Sequence, residues 1–242
     1  MSADTRHDLI VIGGGPAGYT GALLGAKKGL KVCIVEQDRW GGTCTNKGCI
    51  PTKAYMESLR VKGLVEKASR YGIEIEGAFQ VKASLEAMRK RTERIVKRLA
   101  KGVEFLLAKA GVTLIGSTAR LEGARRVAAG GRVMEASAVL IATGARPRMP
   151  ASFTLPGFIT SDEVFDLERA PTSLVIVGAG AVGMEMAHIF SRLGTEVVVL
   201  EEQDRVLPLE DEEVSRLLAS RYREVRFVTG ARILPPGPVT AA

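Results

Sequence analysis

This sequence predicts an α/β fold built from two copies of one strand–helix–strand unit, and three observations predict it. Leu9–Glu36 (LIVIGGGPAGYTGALLGAKKGLKVCIVE) aligns without gaps to Leu174–Glu201 (LVIVGAGAVGMEMAHIFSRLGTEVVVLE). Both copies place GxGxxG between an apolar strand and a helical stretch. A run carrying two cysteines, GGTCTNKGCIPTK (Gly41–Lys53), follows the first copy.

Each copy reads as a dinucleotide-binding unit. Gly13 and Gly178 allow the tight turn, Gly15 and Gly180 let the backbone approach a pyrophosphate, and Gly18 and Gly183 permit close helix–strand packing. Pro16 stands in the first of these turns. The helix N-terminus then favours phosphate by about 0.3–1 kcal/mol per charge. Gly29 and Gly194 end the two helices. Glu36 and Glu201 each follow the first glycine by 23 residues and suit the ribose of an adenosine. A carboxylate at 201 bonds a free 2′-hydroxyl and repels a 2′-phosphate; Glu202 follows, and Arg205 is the nearest base, which favours NAD over NADP.

The remaining elements follow in order. Pro51 suits the first turn of a helix running to about Arg60. A long helix is expected from about Val81 to Ala110, then a strand at Val112–Ile115. Residues 118–135, with Gly130-Gly131, suit a hairpin. Ser137–Thr143 (SAVLIAT) reads as a buried strand returning to the sheet. The proline-rich stretch Gly144–Pro171 connects a first domain, residues 1–150, to a second, residues 151–242. Asp211–Tyr222 suits a helix and Val225–Val228 a strand, and the tail ILPPGPVTAA is expected to be loosely ordered.

Cys44 and Cys49 read as a redox relay, with electrons passing between a bound cofactor and a disulfide. The N-terminus MSADTRHD has no apolar signal core, so a cytoplasmic protein is expected, where cysteine pairs are more often catalytic or metal-binding than structural. Zinc needs about four ligands. The chain offers three scattered cysteines and two histidines, His7 and His188. Positions i and i+5 lie on different faces of a helix, so a Cys44–Cys49 bond requires a distorted first turn, for which Gly41, Gly42 and Gly48 supply freedom. A thiolate near a helix N-terminus is stabilised by the dipole. Cys33, inside an apolar strand, reads as a small core residue.

Composition excludes other classes. The net charge of +7 (34 basic, 27 acidic residues) is concentrated in RKRTERIVKRLAK (Arg89–Lys101). That segment lacks aromatic residues for base stacking and carries a partial apolar stripe (Met88, Ile95, Val96, Leu99, Val103), so it reads as a solvated helix face and not a nucleic-acid patch. The apolar stretch near Leu174–Ala187 is broken by glycines and Glu185, so no membrane span is expected.

With repeat, dithiol and connection in place, the chain resembles the pyridine-nucleotide disulfide oxidoreductases over about Leu9–Ile233, and within them the dihydrolipoamide dehydrogenases. GGTCTNKGCIPTK is close to the family's GGTCLNxGCIPSK. The resemblance implies two Rossmann-like units, the first for FAD (Gly13, Gly15, Pro16, Gly18, Glu36, Thr43, Lys53, Ala119, and Thr143 and Gly144 of the ATG motif) and the second for NAD (Gly178, Gly180, Gly183, Glu201). It implies that Cys49 faces the flavin, that Cys44 meets the substrate disulfide, and that Lys53 lies near flavin N5 paired with Glu185. It further implies a lipoyl-type dithiol substrate, a homo-oligomer and a 2-oxo acid dehydrogenase complex as partner. Family chains are about twice as long, so both units are expected to be incomplete through truncation, without the family's His–Glu acid–base pair; His7 and His188 match no such motif. A non-catalytic FAD/NAD-binding remnant, or a member resembling glutathione or mercuric reductases, is the alternative.

Overall fold

The computed structural model describes residues 6–77, 80–149 and 157–232. The expected loose tail ILPPGPVTAA (residues 233–242) lies outside the described residues, as do residues 150–156 of the expected connection. The chain forms two compact units: Met1–Pro51 with Glu93–Arg146, and Thr52–Thr92 with Pro147–Ala242.

In the first unit, β1 (Arg6–Ile12) leads into α1 (Pro16–Lys27) and returns as β2 (Val32–Glu36). Two helices follow, α2 (Gly42–Asn46) and α3 (Cys49–Glu66); α3 from Thr52 onward and α4 (Leu85–Lys109) up to Thr92 belong to the second unit, and the rest of α4 brings the chain back to the sheet. Then come β3 (Thr113–Gly116), β4 (Ala119–Gly123), β5 (Arg126–Ala129) and β6 (Arg132–Ile141). The strand order is β3-β2-β1-β6-β5-β4. β6 changes partner style along its length: Arg132–Glu135 pair antiparallel with β5, and Glu135–Ile141 pair parallel with β1. The expected hairpin is present, turned by Gly130 and Gly131, whose φ of 57° and 73° suit a tight reversal.

Alternation sets the two faces of this sheet. Ile10, Ile12, Cys33 and Val35 pack with Val127, Ala129, Met134 and Ala136 on one side. Val11, Val32 and Ile34 pack with Ala22, Leu107 and Val112 on the other. Cys33 is fully buried, and burial pushes its thiol pKa up to about 11. The strand expected at Ser137–Thr143 does join the sheet, but Leu140 and Ile141 stay 36% and 61% exposed. Pairing satisfies the backbone of β6, and Leu140 lies against Gly21 of α1, yet Ile141 stays largely exposed, so apolar composition overstated the burial of this end.

The second unit contains β7 (Ser173–Val177), α5 (Ala181–Leu193), β8 (Glu196–Leu200), α6 (Glu212–Arg221) and β9 (Val225–Val228). They make a parallel sheet in the order β7-β8-β9. Its core gathers Met184, Met186, Ile189, Phe190, Val197 and Val199 with Tyr55, Leu59 and Met88 from the earlier segment. Asp211 caps α6, its carboxylate accepting from the Glu213 N–H at 2.9 Å. α3 runs past the expected end to Glu66, and α4 begins at Leu85, not Val81. In α4, Met88 and Val96 are buried, while Leu99 is 41% exposed. No helix among the described residues is long and apolar enough to cross a membrane.

His188 lies half-buried on α5, edge-on to Tyr222 at 5.8 Å between ring centroids. Burial, and then Arg192, holds its pKa below the usual 6.5. The folded state thus binds a proton less readily than the unfolded chain. The stability contributed by neutral His188 is present above pH 6.5 and is lost as the pH falls through the lower folded value. His188→Gln is expected to flatten the acid loss of thermal stability between pH 6.5 and 5; an unchanged slope by calorimetry would refute the assignment.

Candidate cofactor and dithiol sites

The two repeats match bond for bond. β1–β2 and β7–β8 share one register: Leu9 pairs with Val32, and the equivalent Leu174 with Val197. The Gly13 N–H donates to the Val35 carbonyl at 2.8 Å, and the Gly178 N–H to the Leu200 carbonyl at 2.8 Å. Both first glycines adopt positive φ, 107° and 97°. A side-chain carbon on Gly18 would sit 1.8 Å from the Gly13 carbonyl oxygen, and on Gly183 1.9 Å from that of Gly178. Helix and turn therefore meet with room only for hydrogen.

The acidic residues close each turn in the same way. The Glu36 carboxylate accepts from the Gly14 N–H at 2.6 Å and the Asp38 N–H at 2.8 Å. Glu201 accepts from the Ala179 N–H at 2.7 Å and the Gln203 N–H at 2.9 Å. Each carboxylate is fixed by two backbone donors and keeps lone pairs for a ribose hydroxyl.

The mouths of both turns suit an anion. α1 and α5 begin at Gly15 and Gly180 with no side-chain cap and no acid in the first turn. Their first N–H groups therefore remain for a ligand. A carbon on Gly180 would meet nothing within 4 Å, and on Gly15 only the Gly42 Cα at 3.8 Å. Pro16 occupies the first turn of α1. Thr143 follows β6 beside the first turn, its Cα 3.2 Å from a carbon added at Gly13. Gly144 comes next, with φ 70°, Ala119 opens β4, and Thr43 lies exposed on α2.

The dithiol segment is docked on the first turn. The Gly41 N–H donates to the Gly14 carbonyl at 2.9 Å. A carbon on Gly42 would lie 2.6 Å from the Gly15 Cα. Cys44 lies half-buried in α2, and Cys49 is the exposed first residue of α3; the described cysteines are thiols. Gly48 lies against the start of α2, where an added carbon would be 3.3 Å from the Thr43 carbonyl oxygen and 3.7 Å from the Cys44 Cα. That fold-back answers the i,i+5 spacing problem: the pair is carried by two helices, the five-residue α2 and the first residue of α3, not by one.

In the second unit, Lys53 Nζ contacts Glu185 Oε1 at 2.5 Å. Lys53 is 60% exposed there, so the pair adds at most about 1 kcal/mol to stability. Sequence reasoning did not single out Trp40 or Asn46. The Trp40 ring lies on the first turn, 2.8 Å from a carbon added at Gly14, and Asn46 bonds the neighbouring backbone. Their motif position was visible, but no spacing rule marks a side chain that bonds only backbone.

The family model described as pyridine nucleotide-disulphide oxidoreductase matches residues 7–234. The chain belongs to that family. Among curated relatives, the dihydrolipoyl dehydrogenase of Bacillus subtilis (strain 168) is 36% identical, over 96% of this chain and 52% of its own length. That of Acholeplasma laidlawii is 35% identical, over 94% and 70%. Among solved structures, the HOCl-induced flavoprotein disulfide reductase RclA from Escherichia coli superposes with a TM-score of 0.79 at 27% identity, over 93% of this chain and 49% of its own. The chain spans about half the length of most of these relatives. Family members use FAD and NAD(H). The residues present fit both groups: two glycine turns with open mouths, uncapped helix starts and fixed carboxylates.

Proposed function

We propose that this oxidoreductase holds FAD at the first turn and NAD(H) at the second, and moves electrons between NAD(H) and a dithiol such as a dihydrolipoyl group through a Cys44–Cys49 disulfide. The docking of the dithiol segment on the first glycine turn, with Gly42 against Gly15, carries this reading.

A substrate thiolate attacks Cys44 Sγ; the Cys44–Cys49 bond breaks, and Cys49 leaves as a thiolate. The second substrate thiol loses its proton to solvent and displaces Cys44, so the substrate departs as a disulfide and the enzyme holds two reduced sulfurs. FAD, when bound, supplies the two-electron relay from that pair to NAD. Cys49 is placed for the leaving role as the exposed first residue of α3. Lys53, one turn further along α3, provides a fixed cation, with Glu185 as its counter-charge. We assign the reaction to the cytoplasm, in a homo-oligomer serving a 2-oxo acid dehydrogenase complex.

The visible spectrum of the purified chain tests this, before and after one equivalent of dithionite. A flavin band whose long-wavelength absorbance rises on reduction supports flavin beside a thiolate. A colourless protein that takes up no added FAD refutes it. Glu201→Gln is expected to weaken NAD binding by roughly 1–3 kcal/mol while leaving FAD unaffected; equal losses by titration calorimetry would overturn the two-site assignment.

A further inference from the structure

The glycine turn and the dithiol segment are joined by more than chain connectivity. The Asn46 side-chain amide donates to the Trp40 carbonyl at 3.1 Å and to the Gly42 carbonyl at 2.9 Å. Trp40 lies on Gly14, the Gly41 N–H bonds the Gly14 carbonyl, and Gly42 lies against Gly15. The two carbonyls that Asn46 ties together thus belong to the two residues flanking Gly41, the residue hydrogen-bonded to the turn. Asn46 closes the same five-residue helix that holds Cys44. Its Oδ1 is buried without a partner among the described residues. Among the described residues the amide is therefore held by its two donated bonds alone.

We propose that Asn46 is a positioning residue that couples occupancy of the first glycine turn to the reactivity of Cys44. The inference rests on the cofactor assignment above and adds to it: filling the turn stiffens residues 40–46, and Asn46 transmits that stiffening to the thiol.

ADP is the probe, because it offers ribose and pyrophosphate without a ring that could shield the cysteines. Trp40 is the sole tryptophan of the chain, so its emission reports the first turn specifically. Trypsin separates the three cysteines into residues 32–39, 40–47 and 48–53, so iodoacetamide labelling of Cys44 can be followed by mass spectrometry. In the full chain, ADP is expected to change Trp40 emission and to slow Cys44 labelling about fivefold or more. In Asn46→Ala the emission response should persist while the protection falls below about 1.5-fold, reflecting lost coupling. Asn46→Asp, of equal size but without the N–H donors, should behave like the alanine variant and guards against a simple packing defect. Protection retained in either variant overturns the coupling. Trp40 emission indifferent to ADP in the unaltered chain overturns the cofactor assignment, and this inference with it.

Discussion

Gly13→Ala is expected to destabilise the first unit by about 2–6 kcal/mol, the sum of backbone strain and overpacking. Gly13 holds φ at 107°, and a carbon there would stand 2.2 Å from the Ala142 carbonyl oxygen. The Cβ position is fixed by the backbone and the oxygen is backbone, so neither can rotate away, and relief requires β1 and β6 to separate just where Ala142 N–H bonds the Ile12 carbonyl at 2.8 Å. The sister position gives an internal control. Gly178 has nearly the same φ, 97°, but an added carbon meets nothing within 4 Å. Gly178→Ala should therefore carry the strain alone, about 1–3 kcal/mol. Urea titration read by Trp40 emission for the first unit, and hydrogen exchange of β7–β9 for the second, measures both. Equal losses would show that the Ala142 contact is not what restricts position 13.

Cys44→Ser is expected to abolish exchange with a disulfide substrate, a fall on the order of 10³-fold or more for a group that acts in a unit with its partner. Flavin content should be unchanged, because Cys44 lies in α2 while the contacts to the glycine turn are made by Trp40, Gly41 and Gly42. The hydroxyl of serine neither forms a mixed disulfide nor ionises at neutral pH. Rapid-mixing kinetics with a lipoyl dithiol and flavin absorbance measure the two quantities on one sample. Retained exchange would move the interchange role away from Cys44, and lost flavin would make the residue structural.

Much of this architecture is legible in the chain because it is local. The repeat, the strand before each glycine turn and the glutamate after it, Asp211 as a helix cap and the strand at Val225–Val228 each depend on neighbours in sequence. What was not legible depends on partners far along the chain. Apolar composition says that Ser137–Thr143 is a strand but not that Ile141, near its end, stays 61% exposed. α3 continues to Glu66 through Val61, Leu64 and Val65, all exposed, so no buried stripe marks its end in the sequence. Of the candidate site, the glycines, carboxylates and thiols came from spacing. Gly48 was marked in the sequence as a source of backbone freedom, but its contact with the start of α2 and the Asn46 tie came only from geometry, because both depend on which backbone atoms meet.

The β1–β6 pairing joins residues 6–12 to residues 135–141. During synthesis, one edge of β1 therefore stays unmatched while some 130 further residues are made, roughly 6–26 s at ordinary elongation rates. β2 can dock early, but the sheet cannot be sealed on its other side until β6 clears the ribosome. Meanwhile Thr52–Thr92 have already emerged, and the strands they pack with do not yet exist. The nascent chain thus exposes an apolar edge and an orphaned segment at once, which marks the interval before residue 141 as the stage when a holding chaperone would matter most for yield.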